Sequence, residues 1–289
     1  MFNNIDQFLN RPADFEQQNE SAHAKSSHMD SEWINLSFYR FCDLEDEASL
    51  KDLRVVLKAL SSDLQMKGTI LIAPEGINAM VSGLRPAIEA FKSFCVENLK
   101  VEKKDFKEAQ ESTPSFTRML VKIKKEIITV GEPSVRPEVK TATRLSPKEL
   151  KQWLDQKKPI VLLDTRNRYE IETGTFQNSQ SLDLNTSREF KKKAIEHLDE
   201  LKIQSQRYPI VTFCTGGIRC EKASAVLLEL GMENVYQLDG GILRYFEENG
   251  AEYFDGNCFV FDWRLAVDGS LRPTTRSTDS SREDFGRHR

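Results

Sequence analysis

The 289-residue sequence predicts an α/β chain of two domains, an α+β sandwich followed by a doubly wound parallel sheet. Three observations carry this reading. Residues 33–131 space their apolar runs in the order β-α-β-β-α-β. Residues 144–250 alternate helical and extended patterns, which implies parallel strands with helices on both faces. A buried strand at Ile210–Phe213 runs into a short glycine loop that opens on Cys214 and continues as a helix.

The elements follow in order. Residues 1–32 are polar and predict a flexible tail, with a short helix near Ile5–Leu9; Met29 offers an alternative start. Trp33–Phe41 alternates as a strand, and Leu50, Leu53, Val56, Leu57 and Leu60 form a helical stripe within Glu47–Leu64. Strands at Gly68–Ala73 and Ile77–Ser82 flank a Pro74-Glu75-Gly76 turn, and a helix follows over Pro86–Val96. Val101–Lys107 and Met119–Val130 read as further strands, completing a ferredoxin-like α+β domain. Residues 132–143, with Pro133 and Pro137, predict a linker.

The second domain opens on Ser146-Pro147-Lys148-Glu149, a capping box with proline at the first helical position. Pro159–Asp164, Ile210–Phe213 and Asn234–Leu238 are its buried strands; Lys191–Leu201 and Gly241–Glu248 are helices. Residues 251–289 form a C-terminal extension. Its aromatics Tyr253, Phe254, Phe259, Phe261 and Trp263 are expected to pack back, and disorder is expected after about residue 268.

Composition narrows the function. Charged residues make up 30% and hydrophobic ones 39%, as in a water-soluble protein, and no run approaches the roughly 20 apolar residues of a membrane span. The N-terminus lacks a basic segment followed by an apolar core, so no secretory signal is expected. The tail holds six acids and two bases, which is the whole net charge of −4, so overall charge neither favours nor disfavours a nucleic acid. Five cysteines at wide spacings, with no Cys-x-x-Cys pair and no Cys/His cluster, predict free thiols, a cytoplasmic setting and no metal site.

The chemistry is concentrated in Cys214-Thr215-Gly216-Gly217-Ile218-Arg219. Two glycines let a loop curl so that its N–H groups turn inward, and the helix start adds partial positive charge. A thiol there is expected to ionise near neutral pH and act as a nucleophile. Arg219 closes the loop, either holding an anion or pairing with a nearby acid. Cys220, one turn into the helix, reads as packed, with a resolving thiol as the alternative. Asp164 and Arg166 follow the first buried strand and either line the pocket or tie loops together. Glu75, Gly76 and Asn78 read equally as a functional turn or a tight hairpin. Lys122 and Lys124 share one strand face and are candidate RNA contacts.

Asp164-Thr165-Arg166, Gly174-Thr175-Phe176, the Cys214–Arg219 loop and Asp239-Gly240-Gly241 together resemble a rhodanese-like domain. A longer resemblance runs over about residues 33–267. Cys214 to Ser224, with Gly68–Asn78, Val121–Gly131 and Gly256–Val267, is similar to the bacterial tRNA uridine-34 hydroxylases. That resemblance implies oxygen-dependent hydroxylation of the wobble uridine to 5-hydroxyuridine. It further implies Cys214 as the catalytic residue, the anticodon region of tRNA as partner, molecular oxygen as co-substrate and no identifiable cofactor. The rhodanese-like pattern alone supports a second chemistry, a sulfurtransferase carrying a Cys214 persulfide. A cysteine-phosphatase loop holds five residues between cysteine and arginine; only Thr215 to Ile218 stand between Cys214 and Arg219, so that chemistry ranks last. No stable protein partner is expected.

Overall fold

A computed structural model describes residues 32–44, 47–132, 135–262 and 264–274. The expectations for the tail up to residue 31, for Trp263 and for residues 275–289 lie outside the described residues. The chain forms two units, divided after Ile127. No helix among the described residues is long and apolar enough to cross a membrane.

The first unit is built from β1 (Trp33–Phe41), α1 (Glu47–Asp63), β2 (Lys67–Ala73), β3 (Gly76–Leu84), α2 (Arg85–Leu99), β4 (Lys107–Glu111) and β5 (Met119–Ile123). Its sheet has the order β4-β1-β3-β2-β5, the ferredoxin-like arrangement with one added edge strand. All pairings are antiparallel except β2 with β5. Alternation puts Ile34, Leu36 and Phe38 of β1 on the face that meets Leu53 and Leu57 of α1 and Phe91 and Phe94 of α2.

Two strand expectations fail here. Residues 101–106 hold a 3₁₀ turn at Lys103–Asp105, because Glu102 and Asp105 cap each other's backbone, and the strand begins only at Lys107. The strand expected to reach Val130 ends at Ile123. Beyond it the Ile127 amide donates to the buried Glu75 carboxylate at 2.7 Å instead of to a neighbouring strand. Asn78 Nδ2 holds the Ile127 carbonyl at 3.2 Å. The Pro74-Glu75-Gly76 turn is therefore a clamp on the end of this unit. Gly76 is required in it, since its φ is +140° and a Cβ would sit 2.0 Å from the Arg40 carbonyl oxygen.

The second unit contains β6 (Thr143–Leu145), α3 (Pro147–Asp155), β7 (Val161–Asp164), α4 (Arg168–Ile171), β8 (Gly174–Phe176), β9 (Gln180–Ser181), α5 (Phe190–Glu196), α6 (Leu198–Arg207), β10 (Ile210–Phe213), α7 (Ile218–Glu229), β11 (Val235–Leu238), α8 (Gly241–Asn249), β12 (Phe254–Gly256), β13 (Cys258–Phe259) and β14 (Ala266–Val267). Five strands form one parallel sheet in the order β6-β11-β10-β7-β9. Neighbouring residues of a strand serve opposite faces. Leu163 and Ile210 join Phe190, Ala194, Leu201 and Val226 from α5, α6 and α7. Leu162, Val211 and Phe213 join Leu150, Ile242, Tyr245 and Phe246 from α3 and α8.

The capping box at Ser146 forms, with Glu149 N donating to Ser146 Oγ and Ser146 N to Glu149 Oε2. The helix expected over Lys191–Leu201 is two, α5 and α6, with the break at His197. The predicted linker is no free spacer: Val135 and Ala142 are buried in the second core, Lys191 pairs with Glu132, and Thr143 already begins β6. The extension packs back through β12 on β8, where Phe254 meets Phe176 edge-on at 5.3 Å. Described structure continues from residue 268 to residue 274, where the 268–272 turn closes through two backbone hydrogen bonds and Pro273 bridges to Val267.

Candidate active site

Four residues of tight loop join β10 to α7, and their shape is set from two sides. Gly217 takes φ +99° and starts α7 in a left-handed conformation that suits glycine. From the other side, the first turn of α8 caps the loop's carbonyls: Ile242 N donates to Cys214 O at 2.9 Å and Leu243 N to Thr215 O at 3.1 Å. With the carbonyls held there, the N–H groups are free to face the sulfur. Gly217 N donates to Cys214 Sγ at 3.1 Å, while the Cys220 amide closes the first turn of α7 onto Gly217 O at 3.1 Å and brings the Cys220 thiol to the same end of the helix. Close approach of α8 requires Gly241, since a Cβ there would lie 2.4 Å from Cys214 O and 2.7 Å from Thr215 O.

Cys214 is 0% exposed, and its buried sulfur faces the Gly217 amide and the Arg219 charge. Burial opposes its ionisation. The Cys220 thiol, the Arg219 charge and the N–H groups of Cys220 and Gly217 outweigh it and bring the Cys214 thiol down to about 5. Its neighbour moves the other way: burial and the adjacent Cys214 anion push Cys220 well above the ordinary thiol range. The pair therefore holds one thiolate and one thiol. The open side of the loop is at Gly216; apart from Gly216 and its chain neighbours, no atom of the described residues lies within 4 Å of where a Cβ there would sit.

Arg219 makes two parallel bonds to Glu170 of α4, Nη1 to Oε2 at 2.5 Å and Nη2 to Oε1 at 2.7 Å. Burial works against its charge and Glu170 more than restores it. Both side chains are buried, and Glu170 Oε2 also accepts from Asn167 N, fixing the start of α4. Asp164 and Arg166 lie beneath this layer, both fully buried and paired to each other. Asp164 also accepts from Thr175 Oγ1, and Arg166 Nη2 donates to Gly174 O, so the pair ties the end of β7 to β8 and makes no hydrogen bond to the sulfur. Cys258 Sγ of β13 donates to Phe259 O at 3.6 Å, a carbonyl that also accepts from Thr215 Oγ1 of the loop; burial pushes that thiol up to about 12, so it stays protonated.

In the first unit, Lys122 is half-buried on β5 facing away from Val121, and Lys124 is exposed just past the strand's end. A separate open groove of about 720 Å³ is lined by Trp33, Lys58, Lys67, Thr117 and Arg118, with no carboxylate in its lining. Among the described residues neither Lys58 nor Lys67 is ion-paired.

Two family models match the chain: the UPF0176 acylphosphatase like domain over residues 33–127 and the rhodanese-like domain over residues 146–248. A tRNA uridine(34) hydroxylase of Cupriavidus taiwanensis is 43% identical over 245 residues, covering 83% of this chain and 84% of its own. One of Paraburkholderia phytofirmans is 43% identical over 250 residues, covering 83% and 85%. The chain belongs to the tRNA uridine(34) hydroxylase family. The rhodanese-like domain of an Anabaena protein is similar at 18% identity and a TM-score of 0.34, over 47% of this chain and 87% of that one, too distant to inform on chemistry.

Within this member of the hydroxylase family, the structure brings Cys214, Thr215, Gly216, Gly217, Ile218, Arg219 and Cys220 together and leaves Asp164 and Arg166 as supports. Sequence reasoning missed Glu170, Gly241 and Cys258 as parts of the site. Glu170 had a signal: an arginine closing a buried loop requires an acid, and Tyr169-Glu170 lies between Asp164 and Gly174 in the same motif. Cys258 had none, since 44 residues of sequence separate it from Cys214.

Proposed function

We propose that this protein hydroxylates C5 of the uridine at position 34 of tRNA, with molecular oxygen as co-substrate. The observation that carries the reading is the setting of the Cys214 sulfur, which accepts from Gly217 N at 3.1 Å at the start of α7 and has the Cys220 thiol and the Arg219 charge beside it, all favouring its anion. Family membership supports the substrate. The thiolate adds to C6 of the uracil ring, the ring's electron density moves to C5, and oxygen reacts there. A base of the anticodon loop is single-stranded and can be splayed into a protein pocket. The open space over Gly216 is the side from which it approaches. Lys122, Lys124 and the groove at Trp33, Lys58, Lys67 and Arg118 supply cations and an aromatic plane for the RNA. The setting is the cytoplasm, where the five cysteines, all free, stay reduced.

The test is mass spectrometry of tRNA from cells that depend on this protein. Cys214→Ala is expected to abolish 5-hydroxyuridine and its derivatives at the wobble position; undiminished levels would contradict the reading. One observation favours a second chemistry: the rhodanese-like domain places the same inward amides where a Cys214 persulfide would need them. Rapid thiosulfate-to-cyanide sulfur transfer by the purified protein would move that chemistry to first place.

A further inference from the structure

Hydroxylating C5 with molecular oxygen leaves an electron account to close. Oxygen accepts four electrons on its way to one C5–OH and one water. Replacing C5–H by C5–OH supplies two of them. A second pair must come from a donor, and the site contains one beside the nucleophile. Cys220 is fully buried one turn into α7, and Gly217 links it to the nucleophile: the Cys220 amide donates to Gly217 O at 3.1 Å and the Gly217 amide donates to Cys214 Sγ at 3.1 Å. Its sulfur also lies 3.7 Å from the Thr165 hydroxyl, which donates onward to Phe213 O, so the side chain is held at the end of β10 next to Cys214.

We propose that Cys220 is the reductant of the oxygen step, and that the Cys214–Cys220 dithiol becomes a disulfide in each turnover. The inference rests on the hydroxylase reading. The Cys214 thiolate bonds to C6, and the electron pair on C5 bonds to oxygen. With one proton this gives a C5 hydroperoxide. The Cys220 sulfur attacks the outer oxygen and the O–O bond breaks, leaving C5–OH and a Cys220 sulfenic acid. The C5 proton departs, the C5=C6 bond re-forms and Cys214 leaves as thiolate. That thiolate attacks the sulfenic sulfur, forms the disulfide and expels hydroxide. The sum is uridine, oxygen, one thiolate and one thiol to 5-hydroxyuridine, disulfide and hydroxide. A dithiol reductant of the thioredoxin class or a small-molecule dithiol then regenerates the pair.

The arrangement suits this order of events. Burial, together with the neighbouring Cys214 anion, holds Cys220 protonated while Cys214 is ionised. Bonding Cys214 to C6 removes the second of these causes, so Cys220 becomes easier to ionise once the base is in place. Cys258 is not part of the exchange; its thiol donates to Phe259 O and burial keeps it protonated.

The experiment is a single turnover. Fully reduced protein is freed of reductant, then given unmodified tRNA and oxygen. The expected result is one 5-hydroxyuridine formed for every two thiols lost, with peptide mapping placing the disulfide between Cys214 and Cys220. Further turnovers then require added dithiol. Cys220→Ser keeps a hydrogen-bond donor beside Cys214 but cannot form the disulfide. It is expected to keep tRNA affinity and the pH midpoint of Cys214 alkylation, while hydroxylation falls by about 100-fold or more. Repeated turnover of the wild type without dithiol, or hydroxylation with no thiol loss, would overturn the proposal and leave the hydroxylase reading standing. Failure of the wild type to make any 5-hydroxyuridine with dithiol and oxygen present would take down both.

Discussion

Arg219 has its charge inside the protein, and Glu170 is what makes that tolerable. The pair is bidentate and both partners are buried, so removing the carboxylate charge strands a guanidinium under the cysteine loop. Glu170→Gln keeps the shape and removes the charge. It is expected to cost about 3–5 kcal/mol of stability, read from the urea midpoint; a loss below about 1 kcal/mol would mean that Arg219 finds another counter-charge. Residue-scale chemistry was legible in part. Cys214 and its glycines stand out because local sequence alone places a thiol between strand and helix. Arg219 reads ambiguously, because its partner lies 49 residues away and only the fold selects Glu170 over the acids nearer in sequence. Asp164 and Arg166 showed their proximity in sequence, but only burial shows that they brace loops.

At the scale of elements, α8 does for the loop's carbonyls what α7 does for its sulfur. Two helices therefore converge on four residues, and Gly241 is the point of closest approach, at φ +67°. Gly241→Ala puts a methyl group into the Cys214 and Thr215 carbonyls. The expected outcome is a destabilisation of about 1–3 kcal/mol and hydroxylation reduced by about tenfold or more, as the amides turn from the sulfur. Wild-type tRNA modification by this variant would show that the loop keeps its shape without that contact. Strands such as β1 and β10 are legible because period-two burial or an unbroken apolar run leaves little choice. Residues 101–107 and 124–130 mislead for a shared reason: acidic side chains, Asp105 and Glu75, take backbone amides that a strand would otherwise use. No local pattern announces that the carboxylate of Glu75 will bond residue 127.

On the scale of the whole molecule, neutral overall charge outside the tail concealed where a polyanion could bind. The sequence pointed to Lys122 and Lys124 as neighbours along one strand. The groove cations Lys58, Lys67 and Arg118 come from three separate segments, so only the folded sheet gathers them around Trp33. Lys58→Ala with Lys67→Ala is expected to weaken tRNA binding. It should also make the fall of log affinity with log salt shallower by about one unit, as for one or two lost phosphate contacts. An unchanged salt slope would remove the groove from the RNA surface. The two-domain plan, the parallel sheet and the cysteine loop were all legible, because each rests on patterns contained within a few dozen residues.

Everything chemical in this account depends on the ionisation of one sulfur, and the pH profile of its alkylation reads that state. Iodoacetamide labelling of Cys214, followed by mass spectrometry of its peptide, gives the midpoint even where burial slows the absolute rate. With the thiol brought down to about 5, the rate should rise through that pH and be level by neutrality. A rate still climbing between pH 8 and 9, as for an unperturbed thiol at about 8.5, would contradict the account.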